Sequence, residues 1–247
     1  LITLYTNSQN PVSEAQLKSL DPLQKRLKRD FDAYSPPYFY SIKEGDWKTL
    51  SREEKQKYGD RIIHIIRAAQ GTYSFIKDPA FARRYRAELF SKKYHEIFKK
   101  DMRAEEILLI WRILRVIDNK IAEFRRSFNE LKLKSITDDK KKEIERKEFL
   151  IYSNLIFLYL VQKLIRKKYG DYNADIADKL LNNQLEERVE KLFNYIVSVL
   201  SFSEKLKSER NLTRFLKNID NIDLLYEEVE KEIEKDKAKG QDTLKDI

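Results

Sequence analysis

Between Glu105 and Leu133 the apolar residues Ile107, Ile110, Leu114, Ile117, Ile121, Phe124, Phe128 and Leu131 recur at intervals of 3 and 4. That spacing, held over more than three heptads, sets all eight on one stripe of a single α-helix. At ~1.5 Å per residue the helix spans roughly 40 Å. The next helical stretch, Lys141–Lys168, follows a turn at Ser135–Asp139 and supplies the partner. In it Ile151, Leu155, Leu158 and Ile165 make one stripe, which Phe149, Ile156, Phe157, Leu160, Val161 and Leu164 widen. The pattern predicts two long antiparallel rods, joined near Ile136, as the hydrophobic centre of the chain.

Few residues are available to interrupt helices: 5 Gly and 5 Pro among 247 residues, with Lys, Glu, Leu, Ile and Arg dominant. Ser13 is placed to cap a short helix through Leu20. Asp21-Pro22 starts the next, with Leu23, Leu27 and Phe31 on one face and Pro36-Pro37 as its stop. Tyr38–Ile42 reads as a strand with no visible mate. Ser51-Arg52-Glu53-Glu54 is a capping box, Asp60 is expected to cap a helix Arg61–Ile76, and Asp78-Pro79 opens another that runs past Tyr85. Gly170 ends the second rod. Smaller helices are expected near Ala174–Leu181, Leu185–Ser201 and Leu212–Lys217. The last, Ile222–Lys237, carries apolar residues at 222, 225, 229 and 233. The expected fold is all-α: a multi-helix bundle around a long antiparallel helix pair, with at most one short extended segment near 38–42. Residues 1–50 read as an N-terminal capping segment, 51–219 as the bundle, and 220–247 as an acidic helix and tail.

Chemistry is constrained by what is missing. The chain has no Cys and two histidines, His64 and His95, so thiol chemistry and multi-histidine metal sites are excluded here. No phosphate loop, dinucleotide fingerprint, His-Glu-x-x-His pair or EF-hand is present. Glu53-Glu54 and Asp138-Asp139 read as caps and first-turn acids rather than catalytic pairs. His64 reads as a half-buried helix residue and His95 as a helix-end residue. No metal, cofactor or catalytic residue is expected. No apolar run reaches the ~18 residues that cross a membrane, and a cytoplasmic location is expected. The absence of Cys, a single Met and abundant Lys and Glu suit a thermophilic source. The chain opens at Leu1 and is expected to be part of a longer protein.

Charge points to a partner. The net charge is +9, yet residues 220–247 hold 10 acids against 5 bases, a net of −5, which leaves +14 on the preceding 219 residues. A basic body suits an anionic partner such as nucleic acid. The candidate phosphate contacts are Lys25, Arg26, Lys28, Arg29, Arg83, Arg84, Arg86, Arg125 and Arg126, with Lys92-Lys93, Lys99-Lys100 and Arg166–Lys168 as further basic segments. Tyr38, Phe39 and Tyr40 either stack on bases or pack a domain edge.

One succession is specific enough to compare. Thr6-Asn7-Ser8-Gln9-Asn10-Pro11-Val12 precedes Leu20-Asp21-Pro22-Leu23-Gln24 and Pro37-Tyr38-Phe39-Tyr40. Ala68-Ala69-Gln70, Asp78-Pro79, Ala82-Arg83, Leu89-Phe90, Tyr94 and Ile97-Phe98 follow. This resembles the AIPR family of prokaryotic abortive-infection phage-resistance proteins, over roughly residues 1–170 and as the C-terminal part of the family domain. The motif residues are Asn7, Gln9, Asn10, Pro11, Asp21, Pro22, Gln24, Tyr38, Tyr40 and Gln70. The resemblance implies phage defence, often with a nuclease-like domain upstream. The acid-and-lysine motif of such a domain is absent from this chain, and Tyr40-Ser41-Ile42-Lys43 departs from the family's usual Tyr-Glu-Arg-Arg. The amides of the motif either satisfy groups in the core or read a base edge.

Two functions are expected of such a chain: nucleic-acid binding or sensing in defence, or, as the alternative, a dimerisation or partner-docking module built on the heptad seam. An enzymatic site around His64, His95 and the acids ranks below both.

Overall fold

The computed structural model describes residues 14–43, 45–132 and 146–241, with positions 137, 142 and 245 besides. Ser13 and the motif residues Asn7, Gln9, Asn10 and Pro11 lie outside the described residues, as do Asp138 and Asp139.

A short helix, α1 (Glu14–Lys18), precedes α2 (Pro22–Asp32). The start of α2 is as predicted: Asp21 accepts from the Leu23 N–H at 2.8 Å and Pro22 takes the first helical position. Strand β1 (Phe39–Ser41) is followed by α3 (Asp46–Thr49) and α4 (Arg52–Tyr58), and the capping box at Ser51 closes in both directions.

The next element corrects the sequence reading. A second strand, β2 (Ile62–His64), pairs parallel to β1 with Tyr40 opposite Ile63, so there are two extended segments among the described residues. Asp60 caps no helix; its carboxylate pairs with Arg115 instead. The run Ile62-Ile63-His64-Ile65-Ile66 is β-branched at four of five positions, which suits a strand as readily as a helix. Helix α5 (Ile65–Ile76) begins only after it.

Asp78 then caps α6 (Pro79–Arg84) through the Phe81 N–H at 2.9 Å. The helix expected to continue breaks at Tyr85 (φ −117°, ψ 56°) into α6 and α7 (Arg86–Ser91), with α8 (Tyr94–Ile97) beyond. Helix α9 (Ala104–Lys132) is the predicted long rod. Its seam is buried from Ile107 to Ile121 and half-buried at Phe124 and Phe128; the Leu131 side chain lies outside the described residues.

The second rod is shorter than predicted. A 3₁₀ turn, Glu148–Tyr152, precedes α10 (Asn154–Tyr169), and the break falls at Ser153 (φ −120°, ψ 7°). There the Ser153 hydroxyl donates back to the Phe149 carbonyl, the backbone competition that makes Ser a poor helix-interior residue. The rods are antiparallel. Asn154, at the start of α10, donates to Asp118 at 2.9 Å, and Tyr172, just past its end, donates to the Glu106 carbonyl at 2.8 Å. Gly170 ends α10 at φ +84°. Helices α11 (Ala174–Leu180), α12 (Leu185–Leu200), α13 (Glu204–Ser208), α14 (Leu212–Phe215) and α15 (Ile219–Ala238) complete the order. The four apolar positions forecast for the last helix, Ile222, Leu225, Val229 and Ile233, are all buried.

One core runs through the chain, from Leu27 and Phe31 through the two rods to Val229 and Ile233. Its centre holds a third helix that the sequence reading did not place there. Helix α5 lies against both rods, and a Cβ built on Gly71 would meet Ile110 Cγ2 at 3.1 Å, Leu114 Cδ2 at 3.6 Å and Leu158 Cδ2 at 3.9 Å. The seam from Ile107 to Ile121 is thus covered by the chain's own helices. Gly71→Leu is expected to lower stability by about 2–3 kcal/mol through overpacking, read from the denaturant midpoint. An unchanged midpoint would mean that the three helices do not meet as closely as these distances state.

Candidate nucleic-acid interface

The orientation of α2 follows from what its inner face needs. Leu27 and Phe31 are fully buried, and so is Gln24, whose amide lies between two tyrosine hydroxyls. Tyr40 donates to Gln24 Oε1 at 2.7 Å, and Gln24 Nε2 donates to the Tyr94 hydroxyl at 3.1 Å. Burial pushes both tyrosines well above their ordinary range, so the hydroxyls stay protonated. Helix α2, β1 and α8 are thereby joined by a closed polar chain inside the core.

With that face turned inward, Lys25, Lys28 and Arg29 point outward at i, i+3 and i+4, one stripe of the helix. They line a groove of ≈ 610 Å³ whose other walls include Asp32, Tyr38 and Tyr58. Lys28 sits 5.5 Å over the Phe39 ring and 3.7 Å from Asp46. Lys25 and Arg29 are exposed and make no ion pair or side-chain hydrogen bond among the described residues. The groove's acid, Asp32, is already occupied: Lys57 and Tyr58 each donate to it at 2.7 Å. Those two hydrogen bonds, with the charges of Lys57 and Lys28, hold its carboxyl below the usual carboxylate range. Unpaired positive charge therefore faces this groove.

The other predicted phosphate contacts do not line it. Arg26 turns away and donates to the carbonyls of Lys100 at 3.1 Å and Met102 at 2.6 Å. Arg83 and Arg125 come together at the 3₁₀ turn, on the adjacent carbonyls of Tyr152 and Ile151. Both hold backbone in place. Arg84 lies 5.0 Å over the Tyr85 ring, while Arg86 and Arg126 are exposed. Two cations at the basic end of α10 are paired with acids of the chain. Arg166 pairs with Asp171 at 2.8 Å, and Lys167 pairs with Glu230 and Glu234 of the acidic helix α15 at 2.8 and 3.4 Å.

The described motif residues hold the fold. Asp21 and Pro22 start α2, and Gln24 and Tyr40 form the polar chain. Gln70 donates to the Ala82 carbonyl at 3.0 Å and ties α5 to α6. At 0% and 5% exposure, Gln24 and Gln70 are out of reach of a base edge. Of the aromatic trio, Phe39 and Tyr40 are buried, whereas Tyr38 is half-buried on the groove wall. Tyr58, the opposite wall, escaped the sequence reading, since it closes a charged helix with no apolar stripe to draw attention to it. His64 is exposed at the end of β2, not half-buried in a helix. His95 is exposed with its ring edge-on to Tyr94 at 5.3 Å. Among the described residues no group of three His, Cys, Asp or Glu side chains is placed to hold a metal. Among the described residues no helix is long and apolar enough to cross a membrane.

These features define a class: a predominantly helical protein that builds motif amides into its core and turns cations unpaired among the described residues onto a groove beside it. The chain belongs to the AIPR family, described as AIPR protein, which matches residues 1–246. The expected limit near Gly170 is corrected, because the match takes in the helices beyond it and essentially the whole chain. Membership carries a role in abortive infection, a defence against phage. A search of curated proteins found no match, and a search of solved structures found none.

The polar chain should be costly to open. Tyr40→Phe leaves Gln24 Oε1 buried without a donor and is expected to cost about 1–3 kcal/mol in denaturant unfolding. Adding Gln24→Leu should cost less than the sum of the two single changes. Additive losses would show that the two residues do not act as a unit.

Proposed function

We propose that this chain serves abortive-infection defence by binding nucleic acid at the α2 groove, with no catalytic step of its own. The carrying observation is the pair Lys25 and Arg29: two exposed cations, without an ion pair among the described residues, on a concave wall that also bears Tyr38 and Tyr58. Like charges at helical neighbours repel one another, and a phosphate backbone relieves that repulsion while releasing its counterions. Family membership supports the setting, and a phage-directed binder of nucleic acid belongs in the cytoplasm, where that nucleic acid arrives. The rival reading, dimerisation through the heptad seam, is weakened because the seam between Ile107 and Ile121 is buried inside the chain.

Binding should weaken steeply with salt. The double variant Lys25→Gln, Arg29→Gln should lower the slope of log affinity against log salt by about 2, roughly one phosphate contact for each cation lost. Fluorescence anisotropy with labelled DNA and RNA across a salt series measures this. No binding by the unaltered protein at low ionic strength overturns the proposal.

A further inference from the structure

A second groove, of ≈ 410 Å³, adjoins the first, and Tyr38 lines both. Its long wall is a single face of α9, where Trp111, Arg112, Arg115, Val116 and Asn119 succeed one another on the side away from the buried seam. The Trp111 ring meets Tyr38 edge-on, 5.6 Å between centroids and 87° between planes. The Arg115 guanidinium lies 5.2 Å over the Trp111 ring. Two carboxylates now occupy the guanidinium groups. Asp60 pairs with Arg115, and Glu186 takes both the Nε and a terminal nitrogen of Arg112 at 2.6 Å each. These acids are exposed, 69% for the Asp60 side chain and 48% for Glu186. Arg115 and Asp60 are both exposed, so their ion pair is weak, and a polyanion that releases its own counterions displaces Asp60. Arg112, 19% exposed and held in two hydrogen bonds, stays with Glu186.

Tyr38 thus joins two grooves that each set cations beside aromatic rings: Lys25 and Arg29 in one, Trp111 and Arg115 in the other. We infer that the ligand is a single strand whose backbone runs from the α2 groove across Tyr38 onto Trp111 and Arg115 of α9. The inference rests on the α2 groove being a nucleic-acid site. A duplex keeps its bases stacked inward and presents a convex phosphate surface, so it touches the cations at the rim and leaves the rings idle. Unpaired bases reach the rings, and stacking on them tolerates any sequence. DNA and RNA strands share this chemistry.

The test is anisotropy on the full protein with four probes: a dinucleotide, single strands of about eight nucleotides in deoxythymidine and in uridine, and a blunt duplex. The variants are Arg115→Gln, Trp111→Ala and the milder Trp111→Phe, with thermal midpoints recorded so that any loss of fold is seen. The octamers should bind tighter than the duplex. Arg115→Gln and Trp111→Ala should each weaken octamer binding about tenfold, leave the dinucleotide unaffected, and Trp111→Phe should retain most of the affinity. The tighter octamer identifies the strand as DNA or RNA. Equal or tighter duplex binding, or octamer binding indifferent to Arg115 and Trp111, overturns the single-strand track. If Lys25→Gln, Arg29→Gln still weakens binding in that case, the α2 groove stands as a site. If that double variant is also without effect, the groove reading falls and takes the track with it.

Discussion

Three helices meet at Gly71, and the remaining architecture depends on that approach. Without a side chain there, α5 comes close enough to α9 and α10 for Ile110, Leu114 and Leu158 to close over its backbone. Any Cβ would push at least Ile110 aside in a core that packs at crystal-like density. Because α5 fills this place, the rods are not a free-standing hairpin but two sides of a three-helix centre. The short β1–β2 pair leads directly into α5, so the position of β1, and of α2 packed on it, is inherited from the same crossing.

The charge of the molecule becomes readable once the pairs within the chain are removed from it. A basic body and an acidic last helix look from composition like two poles awaiting an outside partner. In the structure part of that polarity is internal: α15 lies along the basic end of α10, and Lys163 and Lys167 meet Asp223, Glu230 and Glu234. Arg83 and Arg125 serve backbone carbonyls. Among the cations left without an acid are Lys25 and Arg29, and their direction is fixed by the core. Gln24, Leu27 and Phe31 determine how α2 is rolled, and that roll carries Lys25, Lys28 and Arg29 onto the groove. A surface property is here set by a buried amide.

Much of the fold could be read from residue order because local signals and burial agree. The Asp21-Pro22, Ser51–Glu54 and Asp78-Pro79 starts, the α9 stripe and the four apolar positions of α15 all formed where periodicity and caps placed them. The failures fall where two local rules compete. Ile62–Ile66 satisfies a strand and a helix equally, and the choice was made by β1, which lies about twenty residues earlier in the chain. Ser153-Asn154 interrupts an apolar run that otherwise reads as a continuous helix, and the Ser153 hydroxyl bonds back to the Phe149 carbonyl at the break. The groove was half legible. Its cations stand in a plain charge run, but Tyr58, Trp111 and Arg115 become its neighbours only through tertiary packing. For the motif glutamines the sequence left two roles open, satisfying groups in the core or reading a base edge, and burial of Gln24 and Gln70 selects the first.

The two sides of α9 explain why a structural and a functional account both fit one helix. A period of 3.6 divides 29 residues into an inward stripe, which the core consumes, and an outward one that the core leaves unspecified. The inward stripe ends effectively at Ile121, and Phe124 and Phe128 mark where its cover thins. On the outward side Trp111 packs against the rim of the core and is only half-buried, although burying such a ring fully is more favourable. Tyr38 stands perpendicular to it and the Arg115 guanidinium lies over its face. A large aromatic kept partly exposed between a tyrosine and guanidinium groups contributes less to stability than the same ring buried. It does offer a flat apolar surface beside positive charge, and that combination suits an unpaired base on a phosphate backbone better than it suits the interior of a helical bundle.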